Sequence, residues 1–243
     1  MTCAACQAHD LSLFVGTRQV KLYRCSACRS LTALPRRSEM SLTAFHDASA
    51  YFDHPYFERR RRDVDRLDAR CQDVFRRLQQ VDPALSPAGT RHLDVGCDTG
   101  LFAERFAHLY GTESHGIDVN ARAVALARAR GIAAQHTDLA HAPHLTGFDL
   151  VTLIDVIEHV ANPVQLLAEV RSRLRPNGLC YLETPNVASA IYTAGGWLSN
   201  LTGGRPESLC ERVFLPEHVQ YFSAAGLEAA GSAARFPMVT LTG

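Results

Sequence analysis

Arg91-His92-Leu93-Asp94-Val95-Gly96-Cys97-Asp98-Thr99-Gly100 reads as an apolar strand, a glycine-containing turn and the approach to a helix. Gly96 and Gly100 let the backbone turn sharply and come close to a ligand. Working outward, the texture repeats. Leu101 to Leu109 reads as a helix, Ser114 to Asp118 as a strand, and Ala121 to Arg130 as a helix closed by Gly131. Ile132 to His136 is a strand, and Phe148 to Ile154 is the most apolar strand. Pro163 to Leu174 is a helix with proline favourable in its first turn. Asn177-Gly178 is a turn, and Leu179 to Glu183 a fifth strand. Strand and helix in regular alternation predict an α/β fold, a doubly wound and mostly parallel sheet with helices on both faces. The turn lacks Gly-x-Gly-x-x-Gly, so the nicotinamide-dinucleotide fingerprint is missing.

Composition narrows the partners. The chain has 243 residues, with 25 Lys plus Arg against 25 Asp plus Glu, so its formal net charge is zero. A neutral chain has no overall field to draw in phosphate backbones, and no nucleic acid is expected as partner. No run of uncharged apolar residues is long enough to span a membrane. Met1-Thr2-Cys3-Ala4-Ala5-Cys6 has neither a charged nor an apolar signal region, which points to the cytoplasm.

The glycine turn, with Asp94 two residues before Gly96, resembles the first motif of the class I S-adenosylmethionine-dependent methyltransferases. Four more landmarks follow in the family's order. Gly116-Ile117-Asp118-Val119 ends the second strand, Thr137-Asp138-Leu139 follows the third, Phe148-Asp149-Leu150-Val151 opens the fourth, and Leu174 to Leu179 resembles the turn into the fifth. The resemblance covers about residues 90 to 225. It implies a Rossmann-like sheet and S-adenosyl-L-methionine as cofactor. Its cofactor-binding residues are then Asp94, Gly96, Cys97, Gly100, Asp118, Val119, Asp138, Leu139 and Asp155, with Asp118 accepting the ribose hydroxyls and Asp138 at the adenine edge. Asp98 stands where the family usually has glycine or a small residue. Three outcomes are open for it: near the methionyl carboxylate, where it weakens binding; turned away; or holding the methionyl amino group.

Asp155-Val156-Ile157-Glu158-His159 resembles the cluster of ubiquinone-type O-methyltransferases. That resemblance implies a small-molecule O- or C-acceptor, with His159 as general base, His218 as second choice and Glu158 beside them. Two other readings stand. Glu158 and His159 form structural hydrogen bonds where a helix begins, or Asp155, Glu158, His159 and His218 hold a divalent ion as in the small-RNA 3′-end methyltransferases. Pro216 to Phe222 is also similar to a structural, substrate-side motif of small-molecule methyltransferases. The alternative to an enzyme is an inactive cofactor fold whose zinc head docks a partner.

The head itself is Cys3-x2-Cys6, eighteen residues, then Cys25-x2-Cys28. Two such turns each aim two thiolates at one point, which fits a closed structural zinc site in a zinc-ribbon-like module. Gln19 to Arg24 reads as a strand running into Cys25. Disulfides are disfavoured without a secretory signal. Val64, Leu67, Cys71, Val74, Phe75, Leu78 and Val81 place an amphipathic helix within residues 55–81. Arg59 to Arg62, interleaved with Asp63, Asp65 and Asp68, reads as a solvated face of it. Tyr51-Phe52 and Tyr56-Phe57 fold over the cofactor or pack the linker on the core, and Trp197 is a lid aromatic or a core anchor. The partition is 1–35 zinc module, 36–89 helical linker and 90–243 methyltransferase domain. The tail leaves room for one short strand, Met238 to Leu241. The sheet edge is then shortened and exposed, which favours a homodimer.

Overall fold

The computed structural model describes residues 1–16, 21–35, 63–202, 212–215 and 217–241. Tyr51-Phe52, Tyr56-Phe57 and Arg59 to Arg62 lie outside the described residues. The contacts form two compact units, one of Thr43–Ile154, Glu169–Glu183 and Thr242–Gly243, the other of Met1–Leu42, Asp155–Ala168 and Thr184–Leu241.

The first unit holds the parallel sheet. Its strands are β4 (Arg91–Val95), β5 (Glu113–Asp118), β6 (Ala133–His136), β7 (Phe148–Ile154) and β8 (Leu174–Glu183), in spatial order β6-β5-β4-β7-β8. All four neighbouring pairs run parallel. The chain steps outward from β4 to β6 and then returns to the other side of β4. That reversal is where open α/β sheets bind ligands, beyond the carboxyl ends of the strands. β7 is buried along almost its whole length, as its unbroken apolar run requires. Its one acid, Asp149, accepts the backbone N–H of Arg91 at 2.7 Å and pairs with the Arg175 guanidinium.

Helix α1 (Val64–Val81) starts on Asp63, whose carboxylate accepts the Arg66 N–H. Its Cys71, Val74 and Leu78 pack with Phe106 of α2 (Leu101–Tyr110) and Leu150 of β7. Asp68 clamps Arg105 with two bonds of 2.6 and 2.7 Å, and Arg70 reaches Glu183 at 2.7 Å. Helix α3 (Ala121–Ala129) is capped by Asn120, whose side chain accepts from the Ala123 N–H.

One boundary differs from the sequence reading. β8 begins at Leu174, directly after α4 (Pro163–Arg173), and not at Leu179. Phe148 pairs with Leu174, but Leu150 pairs with Leu179. The turn at Asn177-Gly178 is thus an irregularity inside the strand, with Asn177 at φ 64° and Gly178 so close to the Phe148 carbonyl that a Cβ would sit 2.9 Å from it.

The second unit holds an antiparallel sheet, β1 (Leu11–Gly16), β2 (Lys21–Cys25), β3 (Leu31–Ala33) and β9 (Gln220–Tyr221), in that spatial order. The head therefore shares a sheet with a segment nearly two hundred residues later. Leu31 pairs with Tyr221 and Thr32 with Gln220. Leu22, Leu31, Tyr192, Phe214 and Tyr221 form the core beneath it. Helix α5 (Ala190–Thr202) leaves Trp197 71% exposed, so it is no core anchor. Helix α6 (Ala224–Ala233) follows β9. The expected strand over Met238 to Leu241 does not form. The segment folds back on α6 instead: Phe236 donates to the Gly231 carbonyl, and Val239 lies where a Cβ on Gly231 would be. No helix among the described residues is long and apolar enough to cross a membrane.

Candidate functional site

The loop after β4 is built to come near something. Gly96 and Gly100 have φ of 72° and 75°, values that glycine takes without steric cost. A Cβ on Gly100 would lie 2.8 Å from Ala127 Cβ, so no other residue closes this turn against α3. Asp98 itself adopts φ 46°, which is why glycine suits that place. Its N–H donates to Asp118 Oδ2 at 2.8 Å, and Asn120 N–H donates to Asp118 Oδ1 at 2.8 Å. Each carboxylate oxygen keeps acceptor capacity for a further donor. Burial pushes Asp118 up to about 6, against the pull of those two N–H groups. Thr99 is buried, and its hydroxyl lacks a hydrogen-bond partner among the described residues.

A buried polar line runs behind the loop. Thr152 Oγ1 donates to Asp94 Oδ1 at 2.6 Å. Having given away its proton, Thr152 accepts from His92 Nε2 at 2.9 Å, and His92 Nδ1 accepts from Ser114 at 3.0 Å. Burial lowers His92 to about 3, so the ring is neutral. Burial likewise raises Asp94 to about 7, only partly offset by Thr152. Sequence reading missed His92 and Thr152. Polar residues in otherwise apolar central strands were the signal that could have found them.

The second unit carries two clusters. The four Sγ atoms of Cys3, Cys6, Cys25 and Cys28 lie within 4.8 Å of one another. Cys3 to Cys28 is 3.6 Å and Cys6 to Cys25 is 3.5 Å. These spacings are far too long for disulfides and near the ~3.8 Å tetrahedron edge that Zn–S bonds of ~2.3 Å give. The donor set thus fits zinc.

In the other cluster a short 3-10 turn (Ile157–His159) brings Glu158 and His159 to His218, with one ligand-type atom of each within 4.8 Å of the others. Glu158 is 1% exposed and accepts from the Thr184 hydroxyl at 2.9 Å. His159 Nδ1 donates to the Glu217 carbonyl at 3.2 Å. A neutral His159 therefore has Nε2 as its basic nitrogen. The His159 and His218 rings meet edge to face, 4.7 Å between centroids.

Against known proteins, a family model described as a methyltransferase domain matches residues 57–241. The chain belongs to this methyltransferase-domain family. It is 34% identical over 124 residues to a ubiquinone biosynthesis O-methyltransferase of Xanthomonas axonopodis pv. citri, covering 48% of this chain and 52% of that protein. It is 35% identical over 120 residues to the Marinobacter nauticus protein of the same name, covering 45% and 50%. The chain spans about half the length of the curated relatives it matches. The plantazolicin methyltransferase BpumL, solved in complex with SAH, shares the fold with a TM-score of 0.53 at 18% identity, over 79% of this chain and 74% of that one.

Within this methyltransferase-domain chain the expected cofactor residues fall into different surroundings. Asp94, Gly96, Gly100 and Asp118 gather at the ends of β4 and β5. Cys97 turns its side chain inward, among Ala103, Val124 and Ile132, into space that Gly116 leaves open: a Cβ there would be 2.7 Å from its sulfur. The Cys97 N–H donates to Ile117 O, and its thiol donates to the Asp98 carbonyl at 3.7 Å. The Val119 carbonyl accepts from His136 Nε2 at 2.9 Å. Asp138 accepts the N–H and Nδ1 of His141, at 2.9 and 2.6 Å. Leu139 is buried, and its carbonyl accepts from Arg173 at 2.9 Å. Asp155, next after β7, has φ 58°.

Proposed function

We propose that the chain is an S-adenosylmethionine-dependent methyltransferase acting on a small-molecule acceptor at oxygen or carbon. The observation that carries this reading is the Asp98–Asp118 tie behind the Gly96–Gly100 turn, in a chain of the methyltransferase-domain family. Asp94, Gly96, the Cys97 backbone, Gly100, Asp118, Val119, Asp138, Leu139 and Asp155 are the cofactor-binding residues of this reading. The Thr99 hydroxyl, without a hydrogen-bond partner among the described residues, and the glycine turn support the fit. When bound, the cofactor supplies a methyl group on a sulfonium, with a neutral thioether as leaving group. The chain's task is then alignment, which supplies roughly 7–11 kcal/mol in well-oriented reactions. Asp118 accepts the ribose hydroxyls and fixes the adenosyl end. His159, through Nε2, takes the proton from the acceptor, with the Glu217 carbonyl on its Nδ1, His218 as the second choice of base and Glu158 beside them. Cys3, Cys6, Cys25 and Cys28 hold one structural zinc.

The protein in this reading is cytoplasmic, binds no nucleic acid and pairs with a second copy. The names of the relatives favour O-methylation. Incubation with methyl-labelled S-adenosylmethionine and separated cell fractions tests the acceptor class. Label is expected in the small-molecule fraction, and label confined to nucleic acid contradicts the reading.

The approach of Glu158, His159 and His218 to within 4.8 Å favours a second reading, a divalent ion at that cluster. Manganese(II) added to the zinc-loaded chain tests it by paramagnetic resonance. A bound-manganese spectrum that Glu158→Gln abolishes supports the ion, and a free-ion spectrum excludes it in favour of His159 as base.

A further inference from the structure

We propose that the four-cysteine head is a positioning element for the His159–His218 pair, acting through Ser30, Thr32 and Ala33. This rests on the reading of that pair as the acceptor-side base, and every link lies inside one compact unit.

The links begin at the cysteine turns. Cys25 N–H donates to the Ser30 carbonyl at 3.0 Å, which ties Ser30 to the second cysteine pair. The Cys28 carbonyl accepts the Ser223 hydroxyl. Ser30 Oγ accepts the Ser223 N–H at 3.1 Å. Only glycine at position 226 lets Ser30 reach this place, since a Cβ there would lie 2.0 Å from its hydroxyl. Thr32 Oγ1 accepts the Ala4 N–H at 3.4 Å, from within the first cysteine turn, and donates to Gln220 Oε1 at 3.0 Å. Ala33 N–H donates to the Val219 carbonyl at 2.9 Å, and Val219 N–H donates to the Glu158 carbonyl at 2.9 Å.

Val219 is thus held from both sides, by the head and by the residue before His159, and it directly follows His218. β9 has only two residues and cannot set its own register. The register comes from buried polar pairs, Thr32 with Gln220 and Ser30 with Ser223, all of them buried. Such pairs are costly to leave half-made, so they specify one arrangement. The head in turn is too small to hold a core of its own, and metal at its cysteines adds folding free energy to the core it shares with Tyr192, Phe214 and Tyr221. Metal occupancy at the cysteines is therefore read out as the geometry of two imidazoles.

The test uses the full chain carrying Ser30→Ala and Thr32→Val together. We expect about one zinc per chain and an S-adenosylhomocysteine Kd within about twofold of wild type. We also expect kcat lowered by about tenfold or more, KM for the cofactor unchanged, and the His159 and His218 ring signals shifted in nitrogen-detected NMR. A double variant that keeps zinc, with kcat and both ring signals as in wild type, overturns the proposal. Should the variant not fold, wild-type protein stripped of zinc by a chelator decides. Ring signals that move while S-adenosylhomocysteine still binds support the coupling, and unmoved ring signals overturn it. Ring signals that move on stripping a protein whose zinc-loaded form binds no S-adenosylhomocysteine leave the coupling standing and remove the methyltransferase reading.

Discussion

The Asp98 N–H donates to Asp118 Oδ2 across 2.8 Å, tying the loop after β4 to the end of β5. A carboxylate so held is fixed in place while its remaining lone pairs stay available. Asp118→Asn replaces one acceptor oxygen by an NH2 group, which opposes either a backbone N–H or a ligand hydroxyl. Hydrogen bonds to charged groups contribute about 1.5–3 kcal/mol. The expected outcome is an S-adenosylhomocysteine affinity lowered about 10- to 100-fold, measured by calorimetry, with a lower thermal unfolding midpoint as well, because the NH2 group faces the Asp98 or the Asn120 N–H.

Proton linkage follows from the buried acids. Asp94 lies at about 7 and Asp118 at about 6, both above the ordinary value of 3.8. The neutral forms thus stabilise the fold at low pH, and that contribution is lost as pH rises through about 6 to 7. Ligand binding has the opposite sign, because hydroxyl and ammonium donors favour the ionised carboxylates. Affinity should tighten between about pH 5 and pH 8, with protons released on binding. Titrations in two buffers of different ionisation enthalpy measure this, and net proton uptake near pH 6 to 7 runs against it.

Gly100→Ala meets two obstacles, a φ of 75° and a Cβ contact of 2.8 Å with Ala127. Strain and overpacking of this kind cost about 1–3 kcal/mol each. The urea midpoint should fall with an unchanged slope, and cofactor affinity should fall with it.

For His159→Gln, loss of a general base lowers kcat by about 10²- to 10⁴-fold. S-adenosylhomocysteine affinity stays as in wild type, since Asp94, Asp118 and the glycine turn are untouched. Steady-state kinetics with calorimetry on the same preparation separates the two effects.

How much of this was legible in the residues depends on range. The β4 turn, the acid at Asp118 and the strand alternation are local patterns, and they reappear in the parallel sheet nearly residue for residue. The cysteine spacing is equally local, and its four sulfurs converge. Cys97 lies within the same motif, yet its side chain points inward because Gly116, on the next strand, leaves room for sulfur. The β3–β9 pairing was not legible: strands of three and two residues carry no period to read. Asn177-Gly178 was read as a turn ahead of the fifth strand, whereas it lies inside β8 as an irregularity of register. Its place inside β8 came from pairing with Phe148 and Leu150, on another strand.

The most direct measurement is a calorimetric titration of S-adenosylhomocysteine into the full, zinc-loaded chain at neutral pH. The expected result is saturable binding at about one site per chain, with a Kd below about 100 μM, equivalent to roughly −5.5 kcal/mol or tighter. No heat of binding at high micromolar concentration, or binding that Asp118→Asn leaves unaltered, would contradict a cofactor site at Asp94, Gly96, Gly100 and Asp118.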